Sequence, residues 1–315
     1  MDETPARKTS ADTNASAASP SSHLRASKQG DFDRGPPQMM FLPPSVFHPP
    51  SATYMSSANC IARDFYTEQY ARFCATIRRP ARLHRKLWEF AFIAEHLERA
   101  GALKTRNRGV GFGVGTEPLP ALFASMGCSI LATDAPPGAS APWWKETGQW
   151  SASLAGLALP ELISDEQLRE RVQFSFCDMT DIPDHFSDGF DFCWSACCFE
   201  HLGSLEAGME FVLQSVEKTL KVGGVACHTS EFNVSSNAGT IDSGPTVLYR
   251  IQDVKKLVQK LESRGHQVLE LPIEPGLSYI DHLVDSPPYD SDVHLKIRLA
   301  SYVTTSFGIV VRRGR

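Results

Sequence analysis

Three groups of residues in this 315-residue chain have types and spacings suited to chemistry. The first is Arg108-Gly-Val-Gly-Phe-Gly-Val-Gly-Thr-Glu-Pro-Leu-Pro120, where a short apolar stretch passes through alternating glycines into a helix start. Gly111, Gly113 and Gly115 allow a tight turn and let a ligand lie against bare main chain. Pro118 suits a first helical turn, where its missing N–H would have no partner anyway. The second group is acidic: Asp134, which closes Ile130-Leu-Ala-Thr-Asp134, and Asp178, which is followed by Met179. The third is Glu200-His201 together with His228-Thr-Ser-Glu-Phe-Asn233, a set of imidazoles and carboxylates able to move a proton.

The elements that would position these groups can be read from the hydrophobic spacing. Leu83, Leu87, Phe90, Ala94 and Leu97 fall three or four apart, which predicts one helix face, and Gly101 follows where that helix would end. Strands are expected at Arg108–Gly111, Ser129–Thr133, Val172–Phe176, Phe190–Ser195, Gly224–Phe232, His266–Leu271 and Ser306–Arg312. Helical patterns lie between some of them at about 117–126, 205–220 and 252–264. Strand and helix in alternation imply parallel strands joined by crossovers, an α/β sheet with helices on both faces. Two final strands with no helix between them imply a late reversal of direction. Residues 1–50 are rich in Pro, Ser and Ala and are expected to be a disordered tail. A helical cap over 51–105 and a catalytic domain over 106–315 complete the expected organisation.

Composition removes several classes of function. With 31 Lys+Arg against 36 Asp+Glu the net charge is −5, without the basic excess of proteins that neutralise phosphates. No apolar run reaches the roughly 18 residues that span a bilayer, and the N-terminus lacks the apolar core of a secretory signal. The expectation is a cytoplasmic protein whose eight cysteines are reduced thiols. They form no C-x-x-C, and no other set of residues has a recognised ligand spacing, so no metal is expected.

The ligand of the glycine loop is narrowed by what it lacks. A dinucleotide fingerprint wants a glycine where Thr116 stands, and no G-K-[ST] follows for a phosphate-binding loop. The G-x-G-x-G run resembles motif I of the class I S-adenosylmethionine-dependent methyltransferases. Asp134, Asp178-Met179, Phe190–Ser195 with its Ser195-x-x-x-x-Glu200-His201-Leu202 continuation, and Leu220-Lys-Val-Gly-Gly224 resemble that family's later motifs, in order. Gly111–Pro120, Thr147-Gly-Gln149, Ser195–Leu202 and His228–Asn233 are similar to a bacterial subgroup associated with glycan biosynthesis. The resemblance covers about residues 85–315. It implies a Rossmann-like fold with a mixed seven-stranded sheet, mostly parallel, whose last strand is antiparallel. It also implies S-adenosyl-L-methionine as cofactor and methyl transfer to an oxygen of a sugar, glycan or other small polar metabolite. Asp134 would take the ribose hydroxyls, Asp178 and Met179 the adenine, and Ser195 would join Gly111, Gly113 and Gly115 at the cofactor. The acid usual two residues before the first glycine is Gly109 here, so Glu117 is the expected substitute.

Candidates for the acceptor side must stand after the fourth and fifth strands. That gives His201, His228, Glu231 and Asn233, with the condition that His228 and Glu231 face opposite ways along one strand. Trp143, Trp144 and Trp150 would wall the adenosine pocket or pack a lid. Ser286-Pro-Pro-Tyr289 resembles an amino-group methyltransferase signature but lies far downstream of the strand it would have to follow, and reads as a loop turn. Alternatives are an NAD-dependent oxidoreductase, an RNA methyltransferase using Arg78, Arg79, Arg82, Arg85 and Lys86, or a non-catalytic cofactor-binding relative. That basic cluster is expected to be the solvated face of the cap helix, and a homodimer is left open.

Overall fold

The computed structural model describes residues 53–138, 150–151 and 153–315. The tail 1–50 and Trp143, Trp144, Thr147 and Gln149 lie outside the described residues. Helices α1 (Ala62–Phe65) and α2 (Glu68–Thr76) precede a short strand β1 (Leu83–His84) and the long helix α3 (Arg85–Arg99). Next come β2 (Arg108–Phe112), α4 (Leu119–Ser125), β3 (Ser129–Asp134), α5 (Asp165–Arg171), β4 (Val172–Phe176) and β5 (Phe190–Ala196). They are followed by β6 (Gly203–Ser204), α6 (Leu205–Gln214), β7 (Leu220–Asn233), β8 (Ser243–Gly244) and α7 (Ile251–Ser263). Strands β9 (Gln267–Val268), β10 (Val284–Asp285), β11 (Val293–His294), β12 (Lys296–Leu299) and β13 (Tyr302–Arg312) close the chain.

The main sheet runs β4-β3-β2-β5-β7-β13-β12-β10, with β9 also paired to β13. Strands β4, β3, β2, β5 and β7 are mutually parallel, and β13 lies antiparallel to β7. This is the mostly parallel sheet with a late antiparallel strand implied by the sequence. It has nine strands rather than seven, because the short β10 and β12 extend it past β13. From β2 the chain winds outward to β3 and β4, then returns to β5 on the other side, so the glycine loop after β2 sits at the switch point where open α/β sheets bind ligands. Among the described residues no helix is long and apolar enough to cross a membrane.

Other departures have local causes. The strand expected over His266–Leu271 shrinks to Gln267–Val268, an edge strand paired only with β13, and Leu269 beyond it is exposed. Helix α5 carries a polar sequence and buries only Leu168, so apolar spacing could not reveal it; a capping box of Ser164 and Gln167 starts it. The helix expected over 205–220 stays α-helical to Gln214 and widens into a π turn over Ser215–Thr219.

Two apolar cores cover the faces of the sheet. Helices α3, α4 and α5 pack on one face, against Phe192, Trp194, Val225, Cys227 and Val310. Helices α6 and α7 pack on the other, against Val110, Phe112, Cys193, Ala226 and Phe307. The stretch expected as a separate cap contributes α3 to the first core, so it is a layer of the same domain. Glycine sets how closely these layers meet. A Cβ on Gly109 or Gly111 would stand 2.3 or 2.4 Å from the rings of Phe192 and Trp194 on the neighbouring strand. A Cβ on Gly308 of β13 would stand 2.1 Å from Phe92 of α3. The absent side chain at Gly308 therefore lets α3 lie flush on the sheet.

Gly308→Ala should cost about 1–3 kcal/mol by overpacking. Trimming the ring in Gly308→Ala/Phe92→Leu should recover part of that loss, because the two positions touch. Thermal melts of the two single variants and the double variant measure the coupling, and strictly additive losses would count against this contact as the determinant of helix seating.

Candidate functional site

Beyond Phe112 the chain turns through Gly113 (φ 61°) and Gly115 (φ 51°), left-handed conformations that suit residues without a side chain. The loop is held by its own hydrogen bonds. Val114 N donates to Thr133 O at 3.0 Å, and Gly115 N donates to the Asp134 carboxylate at 3.1 Å. Asp134 also accepts from Ala135 N at 2.8 Å and Ser151 N at 2.9 Å. A carboxylate has about four acceptor positions, and the described residues take three of them. Burial raises the Asp134 pKa although these amides oppose it. Trp150 Nε1 donates to Ala135 O at 3.0 Å, which brings that aromatic beside the end of β3.

Met179 is buried, with its Sδ 3.7 Å from the place a Cβ on Gly113 would occupy. Its neighbour Asp178 is exposed, and Thr180 N and Oγ1 both donate to Asp178 Oδ1, at 2.8 and 2.7 Å. That turn fixes the carboxylate and leaves its second oxygen for a partner. The structure thus gathers Gly113, Gly115, Asp134 and Met179 around one turn, with Asp178 at its edge.

Three expected cofactor residues have other partners. Gly111 makes room for Trp194 rather than for a ligand. Glu117 accepts the Trp194 indole N–H at 2.6 Å, and burial pushes its pKa up to about 8, so near neutral pH it is mainly an uncharged acid. Ser195 turns to the opposite face, where its Oγ lies 2.9 Å from His228 Nδ1.

His228 is corrected in the same way. Alternation along β7 sends Val225, Cys227, Thr229 and Glu231 towards α3, and Ala226, His228, Ser230 and Phe232 towards α6 and α7. His228 is fully buried there, with Nε2 3.0 Å from Ser215 Oγ. Ser215 already donates to Val212 O at 2.8 Å, so it accepts from Nε2–H, and Nδ1 accepts from Ser195. Burial lowers the ring pKa to about 3. With both nitrogens used inside the core, His228 has none to offer a substrate. His201 is half-buried in the turn after β5, with Nδ1 2.8 Å from Pro245 O, which ties it to the loop before α7, and Nε2 3.9 Å from Glu200 Oε1. Asn233 also braces a loop: its amide donates to Gly239 O and Thr240 Oγ1, and its Oδ1 accepts from Ser235 and Ser236.

Glu231 lies in a buried polar cluster that the sequence did not disclose. Its carboxylate pairs with Arg85 and accepts from Thr304 Oγ1 at 2.8 Å. One turn along α3, Glu89 accepts from Ser306 Oγ and pairs with Lys86 at 2.8 Å; Lys86 also donates to Ala196 O at 3.1 Å. Against the effect of burial, Lys86 and Arg85 hold Glu89 below its ordinary pKa. Arg82 is buried and Arg85 and Lys86 half-buried, so most of the cluster expected on a solvated face is turned inward. A signal for this was available: the first turn of α3 has no acid, and cations there oppose the helix dipole.

Glu200 completes the cluster. A sharp turn follows β5, with Cys197 at φ 52° and its N–H bonded to Thr229 O at 3.0 Å. It brings a carboxylate oxygen of Glu200 within 4.8 Å of both Cys197 Sγ and a Glu231 carboxylate oxygen. A metal ion could bridge such a trio, but Arg85 and Lys86 already supply its positive charge. Glu200 is 1% exposed, and burial together with the Glu231 charge pushes its pKa up to about 8. The eight cysteines are free thiols, and burial raises the pKa of both Cys197 and Cys198, so they are poor nucleophiles.

No protein family matches the chain, and no curated protein is similar to it in sequence. Solved structures are similar to it in fold. A Galdieria sulphuraria protein assigned as a sarcosine dimethylglycine methyltransferase is 16% identical, with a TM-score of 0.46 over 82% of this chain and 92% of its own. Haemonchus contortus phosphoethanolamine N-methyltransferase 2, in complex with S-adenosyl-L-methionine, is 15% identical, with a TM-score of 0.44 over 71% of this chain and 52% of its own. Burkholderia thailandensis 1,6-didemethyltoxoflavin-N1-methyltransferase, with bound S-adenosylhomocysteine, is 13% identical, with a TM-score of 0.39 over 80% and 82%. All three scores are below 0.5, and the α/β architecture described above rests on the chain's own strand order.

The core position of His228 has a measurable consequence. Its native pKa of about 3 lies below its ordinary 6.5. Between these values the unfolded chain binds the extra proton, so this contribution to stability is complete above about pH 6.5 and is lost as pH falls towards 3. Thermal melts should show the wild-type midpoint falling more steeply between about pH 7 and pH 4 than that of His228→Gln, which has no titrating ring. Parallel slopes would refute the buried neutral assignment.

Proposed function

We propose that the chain is a methyltransferase that binds S-adenosyl-L-methionine at the glycine loop and methylates an oxygen of a sugar or other small polar metabolite. One observation carries the choice of ligand: two of the loop's amides, those of Val114 and Gly115, are already used, and acids face it. A pyrophosphate needs free main-chain N–H groups at a helix start. Here Val114 and Gly115 donate to Thr133 and Asp134 instead. That arrangement speaks against a dinucleotide and suits a ligand carrying a positive sulfonium. Asp134 would accept from a ribose hydroxyl through its remaining position, Asp178 from the adenine amine through its unused oxygen, and Met179 would lie against the base.

The bound cofactor would supply an electrophilic methyl group. The protein's part is alignment, which contributes on the order of 7–11 kcal/mol when donor and acceptor are held in line. Turned to the sheet face that carries α3, Glu231 is better placed than His201 to meet an acceptor, and His228 leaves the list of catalytic candidates. The sugar or glycan acceptor is supported by the resemblance of the loop and the His228–Asn233 segment to a glycan-associated subgroup. RNA as acceptor loses support, because Arg82, Arg85 and Lys86 turn inward.

Calorimetric titration with S-adenosylhomocysteine should show one-site binding, and NADH should show none. Asp134→Ala should weaken binding by more than about tenfold, the loss expected for hydrogen bonds to a charged group. Folded protein that binds NADH, or neither ligand, would sink the reading.

A further inference from the structure

Resting on the methyl-transfer reading above, we propose that Glu200 is the base that takes the acceptor's hydroxyl proton. Arg85 holds a neighbouring oxygen of that acceptor, which on this reading is a vicinal diol of sugar type. Two unmatched buried groups lead to this. Glu200 Oε2 accepts from Ser230 Oγ at 2.9 Å, whereas its Oε1 is buried with His201 Nε2 at 3.9 Å and no partner at hydrogen-bond distance. Arg85 pairs with Glu231, yet its Nη1 is buried with no acceptor. A buried polar group left unmatched costs about 1–3 kcal/mol, and native proteins keep few of them without a reason.

The two groups border the same carboxylate, Glu231, and do not satisfy each other. An occupant that satisfies both must donate to a carboxylate and accept from a guanidinium. Two adjacent hydroxyls do both. An ammonium has no lone pair to accept with, and a carboxylate has no proton to donate. The location fits a reacting group. Glu200 stands in the turn after β5 at the carboxyl end of the sheet, two residues beyond Cys198, and Cys198 Sγ donates to Gly113 O of the glycine loop at 3.2 Å.

In the step itself the acceptor oxygen forms a bond to the methyl carbon, and the C–S bond breaks with its electron pair going to sulfur. The hydroxyl proton passes to Glu200 Oε1. Alcohol, sulfonium and carboxylate thereby become ether, thioether and carboxylic acid, and Glu200 later returns the proton to water. Glu231 and Ser230 face Glu200 from β7, Lys86, Glu89 and Arg85 from α3, Cys197, Cys198 and His201 from its own turn, the last with Nε2 3.9 Å from Oε1, and Tyr249 from the segment before α7. Their combined effect with burial puts its pKa near 8, close to the working range of an efficient base.

The test follows label from [methyl-³H]S-adenosylmethionine into a panel of methyl glycosides, the matching amino sugars and a thiol, after S-adenosylhomocysteine binding has been measured on the same samples. Wild type should label glycoside hydroxyls, with a rate that rises with pH around about 8 and then levels. Glu200→Gln should lose about 10²-fold or more in kcat and lose that pH limb, with S-adenosylhomocysteine affinity changed less than threefold, as a proton-transfer role implies. Glu200→Asp keeps the carboxylate and should retain the limb at a reduced rate, which separates chemistry from folding. Arg85→Gln should raise KM more than it lowers kcat. The proposal is overturned by transfer to amines or thiols alone, by transfer to none of the panel, by a Glu200→Gln variant that keeps its rate, or by activity that a chelator abolishes. Absence of S-adenosylhomocysteine binding by folded protein would instead remove the reading beneath it.

Discussion

The ion pair between Arg85 and Glu231 is the contact on which the rest of the arrangement depends. It joins the first turn of α3 to the carboxyl end of β7, two elements nearly 150 residues apart in the chain. Removing one partner of a buried pair typically costs about 3–5 kcal/mol, because the other charge is left stranded. Such a penalty makes the pair a strict positional constraint even where its net contribution to stability is small. It is met only because Gly308 lets Phe92 settle onto β13, which brings the whole of α3 down to the sheet. Packing of apolar surface thus decides where the charges stand.

Much of the fold could be read from the sequence because the signals were local. Glycines in alternation, the acids Asp134 and Asp178 closing two short apolar runs and a helical apolar spacing at Leu83–Leu97 report on their own neighbourhoods. The strands β2, β3, β4 and β5 lie within a residue or two of the expected ranges for that reason. Alternation along β7 also forecast that His228 and Glu231 would part company, and they do. Pairings between distant segments were not legible. Nothing around Arg85 discloses Glu231, nothing around Gly109 discloses that Phe192 fills its place, and Ser195 looked like a ligand residue until Ser215 supplied the far side of its histidine. The Glu200-His201 pair was legible as chemistry, but sequence alone could not say which of the two would be buried.

Charge in the α3 cluster is balanced in a way that assigns protonation states. Two cations, Arg85 and Lys86, face three carboxylates, Glu89, Glu200 and Glu231. Two of the acids have a direct cationic partner. Glu200 has Ser230 and, 3.9 Å away, His201 but no lysine or arginine in direct contact, and burial together with the Glu231 charge holds its pKa near 8. Near neutral pH the cluster is therefore close to electroneutral, which is how so many ionisable groups can share one buried site. Glu117 follows the same rule beside the glycine loop, with an indole N–H as its partner in place of a cation.

The two faces of β7 make an informative contrast. Towards α6, every polar atom around His228 is matched: Ser195, the ring nitrogens, Ser215 and Val212 O form a closed chain. Towards α3, Glu200 Oε1 and Arg85 Nη1 lack hydrogen-bond partners, as does Glu89 Oε2, which is instead ion-paired with Lys86. Both sites hold the same kinds of groups at similar depth, so the difference cannot be put down to burial alone. A closed network has no reason to receive a ligand and rigidifies the core. An open one keeps a donor and an acceptor in reserve, held in place by Glu231 and Lys86, while Ser230 reaches Glu200 from the other face of β7. The same strand therefore carries a structural histidine in its middle and, at its carboxyl end, an acid site that Glu231 and Ser230 border from its two faces.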